Sequence, residues 1–403
     1  YLIESKNTHM EHIEDNVLNG GVDGARQSIN YLRALRDMLS GSSDTNVNVS
    51  TKFDGAPAIF AGTDPSDGQF FVAKKGIFNK NPKIYRTPEE VDADTSGDLA
   101  TKLKLALKHL PDLNIKGVIQ GDFLYSKSDL KTKKQKGVSY VVFHPNTIAY
   151  AVPDNTPLAK TIKRSKIGIV WHTKYTGTTL ETMTASFGEN IADSLAASTS
   201  VWSIDAEYTD QTGTATFTKQ ETKDLTAILS SAGKVFQKID AASLNGISAD
   251  DELLMRMKTF LNTKVRKQER IINVKSAVND MIDYFTDYYK IETDKRKSTK
   301  GKAAVDVRKQ LVMKYFSSTN KKNLEAILEL MNHIVDAKLM LIAKMNQASS
   351  LSTFVQTDKG FKAVGEEGFV AIDKMGKNAV KLVDRMEFSY NNFSDKVIKG
   401  WQR

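Results

Sequence analysis

The N-terminal part of the chain opens with patterns that predict helices. Apolar side chains recur every three or four positions across residues 22–39 and again across residues 99–110, and this spacing predicts two amphipathic helices. A shorter helix is predicted before them, because Thr8 and Glu11 have the spacing of a capping box and the Asn-Gly-Gly at residues 19–21 would end it.

Alternation of apolar and polar residues, with Gly, Pro and Asn between the runs, predicts strands in the next part of the chain. The predicted strands occupy much of residues 46–83, and then residues 117–125, 139–143, 148–152 and 167–172. Gly121 interrupts one of them, which predicts either a β-bulge or the close approach of a ligand. The lysine-rich residues 127–136 are interpreted as a solvated loop, with contact to phosphates as the alternative.

The second half of the chain changes character twice. Residues 176–217 are rich in Thr, Ser and Ala and contain one predicted strand, at residues 201–208. Residues 219–345 are basic and carry three apolar stripes with helical spacing, which predicts a module of several helices. Strands are predicted again at residues 353–356, 361–364, 368–372 and 378–384.

These changes of period predict the domain organisation. An α+β catalytic domain is expected in two parts, with a large, mainly α-helical module inserted between them. The first part covers residues 1–175, the inserted module residues 176–350, and the closing strands residues 351–403.

Composition narrows the class of protein. A chain of 403 residues is long enough for two domains or one elaborated domain. No apolar run approaches the ~20 residues of a membrane span and no signal peptide is recognisable, so we expect a cytoplasmic protein with no membrane partner. The absence of cysteine excludes disulfides, thiolate metal sites and a cysteine nucleophile. The net charge of +9 favours a polyanionic partner.

The candidate chemistry centres on residues 50–60, Ser-Thr-Lys-Phe-Asp-Gly-Ala-Pro-Ala-Ile-Phe. Lys52, a spacer, Asp54 and Gly55 lie between two β-prone runs. A lysine at a junction of strand and turn can act as a nucleophile, and glycine lets another group approach the backbone. A simple β-hairpin turn at Asp-Gly is the structural alternative.

Five further motifs follow in sequence order, each with a residue suited to nucleotide chemistry. They are Lys75 in Val-Ala-Lys-Lys-Gly, Asp122 in Gly-Asp-Phe-Leu, Phe143 in Tyr-Val-Val-Phe, Glu367 in Glu-Glu-Gly-Phe-Val-Ala, and Lys381 with Arg385 in Ala-Val-Lys-Leu-Val-Asp-Arg. Together with Lys-x-Asp-Gly, these motifs resemble those of the covalent nucleotidyltransferases: ATP-dependent DNA ligases, RNA ligases and mRNA capping enzymes. The Glu367 motif is similar to the form found in phage RNA ligases.

The resemblance covers residues 50–145 and 360–390, and it has three departures. Asp122 replaces the usual Glu of its motif. His144 replaces the acidic residue that usually follows the aromatic strand. Val383 stands where a second lysine is usual, and Arg385, two residues further along the same predicted strand face, is the candidate substitute.

The resemblance implies a ligase-type nucleotidyltransferase domain with ATP-grasp-like antiparallel sheets, and ATP and Mg²⁺ as cofactors. Lys52 would attack ATP and hold AMP, which would pass to a 5′-phosphate end before a 3′-hydroxyl seals the strand. Lys52, Lys381 and Glu367 would be catalytic, and Glu367 and Asp122 would bind the metal. The implied nucleotide-binding residues are Lys52, Asp54, Gly55, Lys75, Asp122, Phe143, Lys381 and Arg385.

Each of these residues also has a structural interpretation. Lys75 and Lys381 could be ordinary surface lysines, and Glu367 could cap a turn. Phe143 could belong to the core instead of stacking on adenine. A free lysine is almost fully protonated at neutral pH, so Lys52 would need partial burial and neighbouring cations to attack a phosphate.

The predicted function is ATP-dependent ligation of DNA or RNA ends by a monomeric protein. The basic residues 256–275 and 295–309 are expected to hold the nucleic-acid backbone. Little chain follows residue 390, too little for the β-barrel domain of DNA ligases and capping enzymes, which favours the RNA-ligase-like branch. The rival interpretations are an inactive nucleic-acid-binding protein of the same fold, and an enzyme that transfers AMP to another kind of acceptor.

Overall fold

The structure is a computed structural model that describes residues 11–41, 47–135, 137–187, 190–206, 216–348, 351–358, 360–373 and 379–402. Within these residues the chain forms a mixed α/β structure with three mainly antiparallel sheets. The predicted mixture of helices and antiparallel strands is therefore confirmed.

The helices and strands follow one another in three groups. The first group contains α1 (Asn16–Asn19), α2 (Gly21–Leu39), β1 (Val47–Lys52), β2 (Ala58–Thr63), β3 (Phe70–Ala73), β4 (Ile84–Tyr85), α3 (Pro88–Asp94), α4 (Gly97–His109), β5 (Val118–Ser126), β6 (Lys131–Gln135), β7 (Val138–Phe143), β8 (Ile148–Pro153), α5 (Pro157–Arg164), β9 (Ile167–Thr176), β10 (Thr184–Phe187) and β11 (Val201–Asp205). The second contains α6 (Lys219–Phe236), α7 (Ala241–Ser248), α8 (Asp251–Arg266), α9 (Val274–Asp294), α10 (Thr299–Met313) and α11 (Ser318–Met345). The third contains β12 (Ser352–Thr357), β13 (Gly360–Ala363), β14 (Gly368–Asp373), β15 (Ala379–Leu382), α12 (Arg385–Phe393) and β16 (Val397–Ile398).

The central sheet has seven strands in the order β10-β9-β5-β2-β3-β4, with β11 beside β9 as its parallel pair. Helix α4 lies against one face, where Leu103 and Ala106 share a core with Ile119. The pairing of β5 with β9 shifts register between Gln120 and Gly121. This shift confirms the bulge predicted from the glycine.

The outer sheet has six strands in the order β13-β12-β8-β7-β6, with β16 beside β12. Its edge strand β6 corrects the interpretation of the lysine-rich run as a loop. Residues Lys131 to Gln135 pair in register with β7 although all five side chains are exposed. Because this strand has no apolar residue, its backbone pairing left no periodic signal in the sequence.

The small sheet has three strands in the order β1-β14-β15. It combines a strand near the start of the chain with two strands near its end. Side chains of one face, among them Val49, Phe369 and Leu382, belong to the same apolar core as the helices. The helices therefore pack against one side of this sheet.

Helices α6 to α11 share that core with α2, so elements from both ends of the chain pack on the predicted helical module. The members of the apolar stripes predicted for this module are buried or partly buried. Leu253, Met257 and Phe260 of α8 are at most 3% exposed. Within the described residues, no helix is both long and apolar enough to cross a membrane.

The start of the described chain differs from the prediction. Residues 11–13 run beside β15 in an isolated bridge between His12 and Lys381, and the Lys381 amide donates to the Glu11 carbonyl at 2.9 Å. The predicted helix is therefore wrong at Glu11, because tertiary pairing with β15 outweighs the local capping signal. Thr8 lies outside the described residues.

The ends of two other strands differ from the predicted ends. The last strand of the small sheet ends at Leu382, and Asp384 caps helix α12, where a strand was predicted up to residue 384. The strand predicted at residues 201–208 is β11, which ends at Asp205, and residues 207–208 lie outside the described part. No strand was predicted at β10, within the Thr- and Ser-rich residues 176–217.

Candidate active site

Lys52 ends β1 at the point where the chain leaves the small sheet and turns toward β2 of the central sheet. It pairs with Gly368, while Lys381 pairs with Val370, two positions further along β14. Positions two apart on a strand share a face, so Lys52 and Lys381 project from the same side of the small sheet. This side is opposite the one that packs on the helices.

Glu367 forms an ion pair with Lys52 through Oε2. The Lys52 side chain is 30% exposed and the Glu367 side chain 8%, so the amine can be reached from solvent while the carboxylate is mostly enclosed. Gly368 explains this placement in part. Its φ is +150° and a Cβ there would lie 2.5 Å from Val383 Cγ2, so only glycine lets β14 begin directly after Glu367.

Lys381, on the same face of the small sheet as Lys52, is the third charged residue of this group, after Lys52 and Glu367. Burial lowers the pKa of Lys381, and the positive charge of Lys52 lowers it further. Glu11 and Glu367 oppose this shift. Three residues that lie far apart in the sequence, Lys52, Glu367 and Lys381, are therefore brought together as the motif order predicted.

Asp122 approaches the same amine from the central sheet. It lies on β5 beside the bulge, and its side chain keeps 23% of its surface exposed. Burial raises its pKa to about 7, against the opposing effect of Lys52, and the charges of Glu367 and Asp54 raise it further. The Asp122 carboxylate therefore belongs to the same electrostatic cluster as the Lys52–Glu367 pair.

Glu367 has a similarly raised pKa of about 7. Burial is the largest cause, Lys52 opposes it, and Asp54 adds to it. Near neutral pH the cluster therefore exchanges protons easily, since two of its carboxyl groups are about half ionised there. Groups with pKa values near the working pH are suited to acid–base chemistry and mark candidate functional sites.

Asp54 positions the turn that follows Lys52. Its carboxylate accepts hydrogen bonds from the amides of Thr147 and Ile148, both at 2.7 Å, and from Asn146 Nδ2 at 2.8 Å. Its own amide donates to the Tyr150 hydroxyl at 2.7 Å. Both carboxylate oxygens are thus engaged with the turn between β7 and β8, which fixes the Lys52 end of β1 to the outer sheet.

Gly55 lets this turn approach the central sheet. A Cβ at Gly55 would lie 2.5 Å from Asp122 Cβ and 3.1 Å from the Phe123 carbonyl. The next amide, of Ala56, donates to that carbonyl at 2.9 Å. The Asp-Gly pair predicted as a nucleotide-binding element therefore joins β1 to both Asp122 and the outer sheet, which is a positioning role.

Lys75 approaches the cluster from the strand β3 side. Its side chain is exposed and, among the described residues, it has no ion-pair partner. Its charge lowers the pKa of Asp122, so it lies within electrostatic reach of that carboxylate. The partly exposed surface between Lys52 and Asp122 is called the cleft below, and Lys75 is an exposed cation beside it.

Phe143 lies in the core and not at the cleft. It is fully buried, with its ring centroid 4.9 Å from that of Tyr125 and 5.5 Å from that of Tyr150. Its ring has no face open to a nucleotide, so the prediction that it stacks on adenine is corrected. The alternating pattern of β7 turns this residue inward, onto the packed face of the outer sheet.

Arg385 is also placed differently from its prediction. It begins helix α12, not a strand, and its guanidinium lies 2.8 Å from Asp15 Oδ1 and 3.6 Å from Glu14 Oε1. These buried acids hold it on the helix side of the molecule. Arg385 therefore does not stand in for the missing second lysine on the face that carries Lys381.

His172 is a site residue that the motif search missed. The register shift leaves it without a partner on β5, and its Nε2 lies 3.8 Å from Asp122 Oδ2. Burial, with a contribution from Lys52, lowers its pKa to about 4, so the imidazole is neutral at pH 7. The sequence signal was a polar residue that directly follows the apolar run from Ile167 to Trp171.

The prediction that Asp122 and Glu367 bind a metal ion can be compared with the side chains that could donate to one. Among the described residues, no group of three or more His, Asp or Glu side chains is arranged to hold a metal ion. Asp122 and Glu367 supply two oxygen donors in one cluster. Mg²⁺ in nucleotide sites is commonly held by one or two carboxylates and by phosphates, with water in the remaining positions, so two donors fit that ion.

The basic residues predicted to hold nucleic acid are partly neutralised. Within residues 256–275 and 295–309, roughly half of the basic side chains form ion pairs with acids of the helical region or its neighbours. These are Lys258, Lys264, Arg270, Lys295, Arg296 and Arg308. The other basic side chains form no ion pair with described residues, and they are divided equally between the two stretches. They are Arg256, Arg266, Lys267 and Lys275 in the first and Lys297, Lys300, Lys302 and Lys309 in the second.

Comparison with known proteins gives a family and no activity. The family described as "Family of unknown function (DUF6267)" matches residues 7–397. No curated protein and no solved structure matches the chain.

Proposed function

The chain belongs to this family of unknown function, and we propose that it is an ATP-dependent polynucleotide ligase that works through a lysyl-AMP intermediate. The observation that carries the proposal is the convergence on Lys52. Glu367, Lys381 and Asp122 come from three separate segments of the chain, and their charges meet at one accessible amine. The proposal includes a ligase-type nucleotidyltransferase fold for the central and small sheets.

In the first step Lys52 Nζ attacks the α-phosphorus of ATP. A phosphorus–nitrogen bond forms, the bond to the β-phosphate oxygen breaks, and pyrophosphate leaves. The amine must lose a proton before it attacks. Glu367 is in contact with it and has a pKa of about 7, so this carboxylate can accept that proton at neutral pH.

The neighbouring cations have a separate role. Lys381 interacts electrostatically with Lys52, and Lys75 with Asp122, so both cations would stabilise the negative charge that develops on the phosphates in phosphoryl transfer. Asp122 and Glu367 would hold Mg²⁺, which supplies further neutralisation of phosphate charge. The neutral His172 imidazole, whose Nε2 lies 3.8 Å from Asp122 Oδ2, would help to orient the Asp122 carboxylate.

Two transfers complete the proposed reaction. An oxygen of a 5′-phosphate end attacks the phosphorus bound to Lys52, the phosphorus–nitrogen bond breaks, and the lysine amine is regenerated. A 3′-hydroxyl then attacks the 5′-phosphorus, a phosphodiester bond forms, and AMP leaves. The unpaired lysines of residues 295–309 would contact the nucleic-acid backbone in these steps.

An α-labelled ATP experiment tests the proposal. With Mg²⁺, label is expected to remain on the denatured protein, to be removed by added pyrophosphate, and to disappear in Lys52→Ala. Lys104→Ala is the matched control, because Lys104 is an exposed lysine that pairs with Asp92 outside the cleft. Label is then expected to move to a 5′-phosphorylated oligonucleotide and to be released as AMP when the strand is sealed.

Two results would reject the proposal at different steps. Wild-type protein that retains no label rejects covalent catalysis and leaves the binding protein of the same fold as the interpretation. Label that forms on Lys52 but never reaches a 5′-phosphate end rejects ligation and favours AMP transfer to another acceptor.

A further inference from the structure

The two faces of the outer sheet have different surroundings. On one face Val141, Phe143 and Tyr150 belong to a core that includes Tyr125 of the central sheet. The other face carries a separate cluster, Val142, Ala149 and Ala151, with Tyr140, Phe354 and Phe361 packed around them. We call this second side the open face.

The open face is not covered by another described element. Every member of its apolar cluster comes from the strands of the sheet itself, namely β7, β8, β12 and β13. Its three aromatic side chains are partly exposed, and Val138, which shares the face, is 43% exposed. Ala149 and Ala151 are at most 3% exposed, so the surface of this face is formed by the rings that pack over them.

The charge on this sheet has one sign. Its six strands contain four lysines, Lys131, Lys133, Lys134 and Lys362, and no Asp or Glu. Lys131 pairs with Val142 and Lys133 with Tyr140, so these two lysines lie on the open face. Within the described residues neither has an ion-pair partner.

We infer that the open face binds a single-stranded nucleic acid. Bases stack on the rings of Tyr140, Phe354 and Phe361, and phosphates contact Lys131 and Lys133. Many other proteins bind single-stranded polynucleotides with aromatic rings and basic side chains, because every base has a π-face and the backbone carries one charge per nucleotide. Lysines on an edge strand also discourage pairing with other chains, but that role does not require three exposed rings beside them.

The face is close to Lys52 along the chain. Phe361 lies six residues before Glu367, and six residues span at most about 20 Å. Glu367 contacts Lys52. A strand held on the open face therefore has its end within reach of the cleft, and the sheet would select substrates with an unpaired segment next to the joined end. This link to ligation rests on the proposed function, whereas binding to the face does not.

Binding of fluorescent oligonucleotides to the full chain, without ATP, tests the inference. Single-stranded DNA and RNA are compared with a blunt duplex of the same length at about 0.15 M salt. We expect single strands to bind more tightly than the duplex, and Tyr140→Leu and Phe361→Leu each to weaken binding about tenfold. Leucine keeps the face apolar and removes only the ring, so a change in affinity reports stacking.

Neighbouring lysines on β6 provide the matched pair. Lys133→Glu is expected to weaken binding about tenfold, because it reverses a charge on the open face. Lys134→Glu makes the same charge change on an equally exposed side chain of the opposite face and is expected to have less than about a third of that effect. Circular dichroism and thermal unfolding verify that each variant is folded.

Three results would overturn the inference. Equal effects of Lys133→Glu and Lys134→Glu would show that only general charge matters. Unchanged binding in Tyr140→Leu and Phe361→Leu would remove the role of the rings. A concentration-dependent dimer that these variants disrupt would assign the face to a second copy of the chain. Lys52→Ala should bind single strands normally, so loss of adenylation and loss of binding are distinguishable.

Discussion

Two of the lysine–glutamate pairs among the described residues have contrasting surroundings. Lys338 of α11 and Glu14 lie between the helices and the start of the chain, with both carboxylate oxygens within 2.8 Å of the amine and side-chain exposures of 1% and 3%. Lys52 and Glu367 lie at the cleft, where the amine keeps 30% of its surface exposed. One pair is sealed inside the protein and the other can be reached by a ligand.

The electrostatic balance also differs. Burial alone would raise the pKa of Glu14, but Lys338, His12 and Arg385 outweigh it and lower the pKa to about 2. At Glu367 burial dominates, Lys52 only partly offsets it, and Asp54 adds repulsion, so the pKa rises to about 7. Glu14 contacts Lys338 and lies near Arg385, whereas Glu367 shares its surroundings with the carboxylates of Asp54 and Asp122.

We infer from this difference that the Lys338–Glu14 pair stabilises the fold, whereas the Lys52–Glu367 pair is suited to chemistry. A carboxylate neutralised by several cations stays ionised at every physiological pH and fixes the elements that it joins. A buried carboxylate whose negative charge is only partly neutralised by nearby cations exchanges protons near neutral pH. Such a site also favours the binding of a further cation, such as a metal ion. We therefore expect mutations in the two pairs to affect different measurements.

Replacement of Lys52 is expected to have the largest effect on activity and little effect on stability. Lys52→Met removes the proposed nucleophile, so adenylation should fall to background. The free energy of unfolding should change by less than about 1 kcal/mol, because the lysine side chain is partly exposed. Urea denaturation and labelling from ATP are measured on the same preparation. A variant that still adenylates at the wild-type rate would contradict the assignment.

Replacement of Lys338 is expected to have the opposite result. Lys338→Met leaves Glu14 buried with fewer cations and should lower the free energy of unfolding by roughly 3–5 kcal/mol. Because Arg385 still contacts Glu14, the low end of this range is favoured.

Two control variants accompany this experiment. Lys258→Met removes a half-exposed pair with Glu11 and should cost less than about 1 kcal/mol. The double variant Lys338→Met with Glu14→Leu should recover much of the loss, since no uncompensated charge then remains buried. Equal losses in Lys338→Met and Lys258→Met would show that burial does not distinguish these pairs.

Removal of charge beside Lys52 is expected to lower the adenylation rate. Lys381→Gln should slow single-turnover adenylation by roughly 100-fold, because a fixed cation next to the transferring phosphate is lost. Lys381→Arg, which keeps the charge, should recover part of the rate. Lys362→Gln changes a lysine of strand β13 in the outer sheet, outside the cleft, and should have no effect on adenylation. A Lys381→Gln variant as fast as wild type would remove this residue from the proposed mechanism.

The pH dependence of stability should distinguish the two glutamates by sign. The native pKa of Glu367 is above its ordinary value of 4.5, so its contribution is fully present below about pH 4.5 and is lost as the pH rises through 7. The native pKa of Glu14 is below 4.5, so its contribution is present above pH 4.5 and is lost as the pH falls toward 2.

Glu367→Gln should therefore flatten the decline in the free energy of unfolding between pH 4.5 and 7, by roughly 1–3 kcal/mol over that interval. Asp122, whose pKa is also about 7, leaves a residual slope in this variant. Urea denaturation at half-unit pH steps gives the measurement. A slope that Glu367→Gln leaves unchanged would show that this carboxyl is not the group that titrates.

Sequence patterns predicted most of the elements that build the cleft. The strands that carry Lys52, Asp122, Glu367 and Lys381 were recognised because their apolar alternation is regular and short glycine-containing motifs mark their ends. The stripes of the helical region were recognised for the same reason. Motif order alone also indicated that Glu367 and Lys381 would lie beside Lys52.

The predictions that were wrong or absent failed because contacts between residues distant in the sequence decide these features. Strand β6 is formed by backbone pairing and has no apolar side chain, and residues 11–13 pair with β15 against their helical capping signal. Phe143 and Arg385 were assigned from motif position, yet the packing of Tyr125 and the buried acids at Glu14 and Asp15 decide where they point. His172 belongs to no motif and joins the cluster only through the bulge in β9.

The central claim is that Lys52 holds AMP covalently, and peptide mapping tests it most directly. Wild-type protein is incubated with ATP and Mg²⁺, digested without acid, and analysed by mass spectrometry. We expect one adenylyl group on the peptide that contains Lys52, and we expect acid treatment to remove it because a phosphoramidate bond is acid-labile. An unmodified Lys52 peptide, or an adenylyl group on a residue outside the cleft, would contradict it.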